Sequence, residues 1–269
     1  LFRSTPTCEL VDQAGVSHNN HMFSSNGSRL LLASAVNFEK EPQLNASVRL
    51  TFPSGQALTQ LLTFDVLDSN DAPTAIALDP TSVLENVPVG TTVGSFSVTD
   101  EDSGDTHTFA LIDGSGSTHN AFFAIDGSTL VTAAALNHES SCPNGKCSIL
   151  VEATDAAGST ISAGWTITIS DVAESPIELH LSNTVADRAT GAVGTFSTSD
   201  EDASDSHNYA LVSGTGDGGN SMFSISGSNL VALDALSLST SPTVNVRVQT
   251  SDSTGLSKTV VFELTVVDW

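Results

Sequence analysis

Ser97-Val-Thr-Asp-Glu-Asp102 returns one hundred residues later as Ser197-Thr-Ser-Asp-Glu-Asp202, and this repetition decides the architecture. The same offset joins His107 to His207, Phe123 to Phe223, Ile125 to Ile225, Gly127-Ser128 to Gly227-Ser228 and Leu130-Val131 to Leu230-Val231. Extended backwards, it joins Phe23, Gly27-Ser28, Leu30 and Asn37 to Phe123, Gly127-Ser128, Leu130 and Asn137. Three copies are present, and the first lacks its opening third. Their expected boundaries are 1–71, 72–173 and 174–269.

Within each copy the apolar residues alternate with polar ones, the period that places one face of a strand on a core and the other in water. Trp165-Thr-Ile167-Thr-Ile169, Phe262-Glu-Leu264-Thr-Val266 and Leu62-Thr-Phe64-Asp-Val66 all show it. The preceding runs, Ile149, Val151 and Ala153, then Val244, Val246 and Val248, show it again. Turn signals such as Asp113-Gly114, Asp126-Gly127 and Asn144-Gly145 separate the runs, and no long segment keeps a helical period. The pattern predicts antiparallel strands with one wet face. About seven short strands per hundred residues match an immunoglobulin-like Greek-key sandwich. The fold class is therefore all-β, in tandem sandwiches with the first repeat incomplete.

The chain has 269 residues and a formal charge of −23, from 31 acidic against 8 basic side chains. Such a charge makes nucleic acid an improbable partner and repels itself unless counter-ions collect. With 39% hydrophobic residues in regular strands it is not a disordered acidic tail. No stretch approaches the ~20 apolar residues of a membrane span. Leu1-Phe2-Arg3-Ser4 reads neither as a signal peptide nor as an initiator sequence, so the chain is expected to be a segment of a longer protein.

Cys142-Pro-Asn-Gly-Lys-Cys147 sets two cysteines across a turn where a hairpin disulfide fits; the alternative is a pair of reduced thiols in a cytosolic loop. Cys8 is left over, free or bridged elsewhere. Asn26-Gly-Ser and Asn45-Ala-Ser match the N-glycosylation sequon, a short pattern common by chance. Together with the hairpin cysteines they point towards a secretory origin.

The acids gather where strands end: Asp68-Ser-Asn70-Asp71-Ala-Pro73, Glu85, Asp100-Glu-Asp102 and Asp155. Any one group could be a solvated turn, since Asp and Asn favour turns for their own hydrogen bonds. Converging as a set with few cations nearby, they would repel strongly unless a metal ion sat among them. Calcium takes about 6 to 8 oxygen ligands in flexible geometry, whereas magnesium keeps more of its water.

Taken in order, these segments resemble the cadherin-like repeat family. The 68–73 stretch is similar to that family's inter-repeat linker, Val83-Leu-Glu85-Asn to its early glutamate motif, and Asp100-Glu-Asp102 to its paired aspartates. Leu136-Asn137-His-Glu139 and Ala153-Thr-Asp155 resemble two further motifs of the set. The wording of Thr91-Thr-Val-Gly94 and Asp105-Thr-His107 is similar to cadherin-like repeats of very large microbial surface proteins. The resemblance implies calcium between successive repeats. The first junction would use Asn37, Glu39, Asp68, Asn70, Asp71, Asp100, Asp102 and Asp155. The second would use Glu85, Asn137, Glu139, Asp171, Asp200, Asp202 and Asp252.

Asn37 and Asn137 stand where the family has aspartate, and the second linker, Asp171-Val-Ala-Glu174-Ser-Pro176, lacks the Asn and carries Glu for the second Asp. The resemblance therefore implies fuller occupancy at the first junction. In copy three Ser237-Leu-Ser239 and Ala186-Asp187 replace the exit motifs, which implies little calcium there. The family's Trp-anchored strand exchange does not carry over, because no Trp lies near the start.

The implied function is a non-enzymatic, calcium-stiffened rod or stalk at a cell or matrix surface. Its partners would be calcium, other repeats of the same or a neighbouring chain, and a surface or matrix ligand. A filament subunit and a carbohydrate- or protein-recognition module are the rival readings. No Ser or Cys stands in a nucleophile setting and no lone carboxylate pair suggests a glycosidase, so an enzyme has least support. Gly214-Thr-Gly216-Asp-Gly-Gly219 spells a dinucleotide fingerprint but precedes a strand pattern, not a helix. His107 and His207 read as loop hydrogen-bonding residues, and Trp165 and Trp269 as packing.

Overall fold

A computed structural model describes residues 5–12, 14–188, 191–233, 236 and 241–267. Trp269 and the Ser237–Ser239 stretch lie outside them. Backbone contacts group the chain into two compact units: Leu1–Thr81, Gly90–Ala133 and Ser148–Thr166 in one, Ser82–Val89, Ala134–Cys147 and Ile167–Trp269 in the other.

The first segment holds β1 (Thr7–Leu10), β2 (Phe23–Asn26), β3 (Arg29–Leu32), β4 (Gln43–Thr51) and β5 (Ala57–Asp65). A three-stranded sheet runs β1-β4-β5 and a separate hairpin joins β2 to β3. The middle segment holds β6 (Ala75–Asp79), β7 (Ser82–Leu84), β8 (Thr92–Thr99), β9 (Thr108–Leu111), β10 (Phe123–Asp126), β11 (Thr129–Thr132), β12 (Lys146–Thr154) and β13 (Thr160–Ser170). Its sheets run β10-β11-β8-β6 and β7-β13-β12-β9. The last segment repeats this with β14 (Glu178–Leu181), β15 (Val185–Asp187), β16 (Gly191–Ser199), β17 (Asn208–Leu211), β18 (Phe223–Ser226), β19 (Asn229–Ala232), β20 (Thr243–Ser251) and β21 (Ser257–Val267), in sheets β14-β16-β19-β18 and β15-β21-β20-β17. The all-β tandem sandwich, with a first repeat lacking counterparts of β6, β7 and β8, is as the repeat predicts. No helix among the described residues is long and apolar enough to cross a membrane.

Two pairings, at equivalent places in the two complete repeats, depart from the expected antiparallel pattern. β7 runs parallel to the end of β13, Thr168 opposite Ser82, and β15 runs parallel to β21, Val185 opposite Thr265. The opening strand of each complete repeat leaves one sheet and joins the other. Pro80, with no N–H to give a ladder, marks the break after β6. Alternation in sequence fixes which side chains face inward but not which neighbour a strand takes, so this was not legible beforehand.

The core of the last repeat shows why alternation folds it. Leu179, Val193 and Phe196 from one sheet are buried with Val246, Val248, Leu264 and Val266 from the other. Phe196 lies 5.2 Å from the Tyr209 ring and 6.0 Å from Phe262. One hundred residues earlier Phe96 meets Phe109 at 5.0 Å and Trp165 at 5.8 Å, so Trp165 packs as expected. In the first segment Leu62 and Phe64 remain 37% and 40% exposed, although Ile167 and Leu264 at the position of Phe64 are fully buried. The alternation predicts a covered face there; the strands that would cover it have no counterpart in this segment. Phe23, Leu30, Leu44, Leu62 and Phe64 instead line a groove of about 650 Å³.

Asparagine side chains fasten each repeat at one more recurring place. Asn20 Oδ1 accepts from the Ser47 N–H at 3.0 Å while its Nδ2 donates to the Val11 carbonyl at 2.9 Å. Asn120 bridges Leu150 N–H and the Ile112 carbonyl in the same way, and Asn220 bridges Arg247 N–H and the Val212 carbonyl. Each replaces ladder bonds where the chain enters a short 3-10 turn, at Asn20–Met22, Asn120–Phe122 and Asn220–Met222. The last of these turns follows Gly214–Gly219 and gives way to β18, so no helix N-terminus is there to receive a pyrophosphate.

Cys142 and Cys147 are bridged, with Cα atoms 5.2 Å apart, and Cys8 is a half-buried free thiol.

Candidate metal centres

All eight residues expected at the first junction lie in the first unit, on loops that leave strand ends. The linker leaves β5, Asp100 and Asp102 follow β8, Asp155 follows β12, and Asn37 and Glu39 follow β3. Backbone amides fix several carboxylates. Asp155 Oδ1 accepts from Ala157 and Ser159 N–H at 3.0 and 2.7 Å, and its Oδ2 accepts from Asn70 Nδ2 at 3.0 Å. Asp102 Oδ2 accepts from Asp71 N–H at 2.8 Å, tying the linker to the loop after β8. Asp100 Oδ1 accepts from Asp102 N–H, and its Oδ2 sits 2.9 Å from His107 Nε2. Ligand oxygens of Glu39, Asp68 and Asp102 lie within 4.8 Å of one another, as do those of Glu39, Asp71 and Glu101.

The seven residues of the second junction lie in the second unit. Glu85, only 2% exposed, accepts from Val172 N–H through Oε1 and from His138 N–H through Oε2, both at 2.8 Å. Its carboxylate lies within 4.8 Å of those of Asp171 and Glu174, and Asp171 also groups with His138 and Glu139. Glu174 N–H donates to Asp202 Oδ2 at 3.0 Å, repeating the Asp71–Asp102 contact. Asp200 faces His207 Nε2 at 2.8 Å. Asp252 Oδ1 accepts from Thr254, Gly255 and Leu256 N–H, but its Oδ2 has no counterpart of Asn70, because Ala173 occupies that place.

Asn37 and Asn137 sit apart from the carboxylates in role. Asn37 Oδ1 accepts from Lys40 N–H and its Nδ2 donates to Glu101 Oε2 at 2.6 Å; Asn137 makes the same pair of bonds to Ser140 and, at 2.8 Å, Glu201. Glu101, Glu201, Asp105, Asp205 and Glu174 are thus further candidate site residues beyond the matched motifs. The signal was available for four of them: Glu101 and Asp105 recur at the hundred-residue offset. Lys40 Nζ, 3.7 Å from Glu101, adds a single exposed cation at the edge.

Among the described residues six buried carboxylate oxygens have no hydrogen-bond partner: Asp102 Oδ1 and Asp105 Oδ2 in the first unit, Glu174 Oε2, Asp200 Oδ1, Asp205 Oδ2 and Asp252 Oδ2 in the second. A buried acceptor without a donor costs free energy, and an ionised one costs more. Oxygen-only donors, crowded and short of protons, are what a hard divalent cation takes, so the residues present fit calcium.

The acid equilibria report the same crowding. At Glu39 a backbone hydrogen bond pulls the pKa down, yet burial and the charges of Asp68, Asp71 and Asp102 move it upward overall. At Asp202 the bond from Glu174 N–H opposes burial and the charges of Asp171, Asp205 and Asp200, and the net direction is again upward. Asp155 is held low, first by Asn70. Glu174 is pushed up to about 7, by burial first and then by Glu85, Asp202, Glu139 and Glu201.

The folded pKa of Glu174 exceeds its unfolded value, so the metal-free folded chain keeps a proton that the unfolded chain releases. Its contribution makes stability fall as pH rises from about 4.5 towards 7 and then level off. Urea midpoints in chelator across this window will show the fall, and Glu174→Gln will flatten it. An unchanged slope in that variant contradicts the assignment.

Paired four-stranded sheets with acidic loops at strand ends define tandem β-sandwich repeats. Residues 79–170 match the family model described as Cadherin domain. Cadherin-4 of Caenorhabditis elegans is 28% identical over 151 residues, 55% of this chain and 3% of that protein. Protocadherin Fat 4 of Mus musculus is 33% identical over 111 residues, 40% of this chain and 2% of that protein. The crystal structure of mouse Protocadherin-24 EC1-3 superposes with a TM-score of 0.65 at 18% identity, covering 100% of this chain and 91% of that one, a likeness of fold. Over residues 79–170 the chain is similar to the cadherin domain family, and the stretch shared with Cadherin-4 and Protocadherin Fat 4 is a small part of those long proteins. These relatives are animal proteins, and the microbial likeness of Thr91–Gly94 and Asp105–His107 is not carried by them.

Proposed function

We propose that this segment is a calcium-stiffened, non-enzymatic part of an extracellular rod, with repeats bounded at 1–71, 72–173 and 174–269. The partnerless carboxylate oxygens support this reading, because bound cations would supply the positive charge that no donor of the protein gives them. Glu39, Asp68, Asp71, Asp100, Asp102, Asp155 and Glu101 would hold calcium at the first junction. Glu85, Glu139, Asp171, Glu174, Asp200, Asp202 and Asp252 would hold it at the second. Asn37, Asn70 and Asn137 orient their carboxylate neighbours. Bound calcium supplies positive charge that cross-links linker and loops, so that a repeat can transmit force to the next.

Cell-surface adhesion or spacing is the role that the likeness to cadherin repeats supports. The filament reading needs a second chain over Leu62 and Phe64, and the recognition reading needs a platform the loops do not offer; neither has support equal to the rod. Asn70, which holds Asp155, has no equivalent beside Asp252, so the first junction binds more tightly. In calcium titrations Asp71→Ala will lose several-fold more affinity than Asp171→Ala. A larger loss from Asp171→Ala overturns that ranking.

A further inference from the structure

We infer that Asn26 carries an N-linked glycan and that Asn45, the other sequon, stays bare. The inference rests on the extracellular reading for its exposure to a secretory pathway. Asn26-Gly27-Ser28 forms the turn between β2 and β3, with Asn26 paired to Arg29 and Gly27 at φ 63. This left-handed first turn position suits glycine in a two-residue hairpin. All three residues are exposed, and a Cβ built on Gly27 would meet nothing within 4 Å. The turn itself is held by the Cys8 N–H bond to the Gly27 carbonyl at 2.9 Å, so the exposed site sits on ordered backbone.

The complete repeats show that the position stays open once a sandwich is whole. Asp126 and Ser226 occupy it there, beside Gly127 at φ 58 and Gly227 at φ 61, and both are exposed. Only the first copy has Asn at this place.

Asn45-Ala46-Ser47 lies instead on β4, the middle strand of its sheet. Asn45 is half-buried and its Oδ1 accepts from Thr63 Oγ1 at 2.7 Å; its N–H donates to Asn19 Oδ1, and its carbonyl accepts from Asn19 N–H. Ser47 is fully buried, and its N–H is taken by Asn20. The hydroxyl that completes the sequon is inaccessible in the fold. β4 and β5 pair over their whole length around a short turn, a local hairpin that forms early and competes with transfer to Asn45.

The reaction needs a lipid pyrophosphate-linked oligosaccharide. Asn26 Nδ2 gives up one proton and bonds to the anomeric carbon, while the bond from that carbon to the pyrophosphate oxygen breaks and the lipid pyrophosphate departs with the electron pair.

The test is to secrete residues 1–269 from a eukaryotic cell line behind a cleavable signal and to map peptides after peptide N-glycosidase, which converts each modified Asn to Asp. Conversion at Asn26 alone is expected, with Asn26→Gln removing the whole glycan mass and Asn45→Gln removing none. Conversion at Asn45, or no conversion at Asn26 in protein carrying the Cys142–Cys147 bridge, overturns the inference. Failure of the extracellular calcium reading would show separately, as indifference to calcium in the titrations of either form.

Discussion

Chelating calcium will expose residues 68–76 to proteolysis while leaving the β4–β5 hairpin resistant. Glu39, Asp68, Asp71, Glu101 and Asp102 crowd their oxygens around this linker, with Lys40 as the one cation beside Glu101 among the described residues. Without a divalent ion their repulsion is relieved most easily by swinging out residues 68–73, which are tied to the neighbouring loops by the Asp71–Asp102 bond and the Asn70 bonds to Asp155 and Ser159, while Thr74 onward stays anchored to Thr99. A shift of about 1.4 kcal/mol in local opening is tenfold in cleavage rate. At least that is expected, with calcium restoring protection and Asp102→Ala mimicking the chelator. Cleavage unchanged by chelation would mean that the carboxylates are merely solvated.

Glu85 gives the second large effect, and it does not require the metal. Its two oxygens close the backbone N–H groups of His138 and Val172, bringing the 134–147 loop and the second linker onto one buried carboxylate. Glu85→Ala leaves both amides without an acceptor, and with charged-acceptor bonds at roughly 1.5–3 kcal/mol each, a loss of about 3 kcal/mol is expected in urea unfolding with chelator present. Glu85→Gln retains one acceptor oxygen and should fall between. A loss in Glu85→Ala below about 0.5 kcal/mol, the range of an ordinary surface substitution, would contradict the structural role.

The hundred-residue offset made the sandwich legible because core positions such as Phe96 and Phe196, or Leu130 and Leu230, must recur wherever the same space is filled. It also located the acidic loops, since the strand ends that carry them recur with the strands. What it missed has a physical cause in each case. The parallel pairing of β7 with β13 depends on which sheet edge is free, a property of the assembled sandwich. The exposure of Leu62 and Phe64 depends on strands absent from the segment, although the alternation that predicts burial is intact. Motif matching assigns roles to Asp100 and Asp102, whereas the fold also brings Glu101 beside Glu39 and Asp71 and Asp105 beside Asp100 and His107. Glu174 stands where the first linker has Asp71, and its carboxylate groups with Glu85 and Asp171, where burial and the neighbouring charges raise its pKa to about 7.

Calorimetric titration of the chain with calcium, beside the Asp102→Ala/Asp202→Ala double variant, addresses the cation-binding assignment directly. Saturable binding in the ~10⁻⁴–10⁻³ M range of extracellular modules, or tighter, is predicted for the native chain and its loss in the variant. A native chain that takes up no calcium, or a variant that binds as the native chain does, would contradict it.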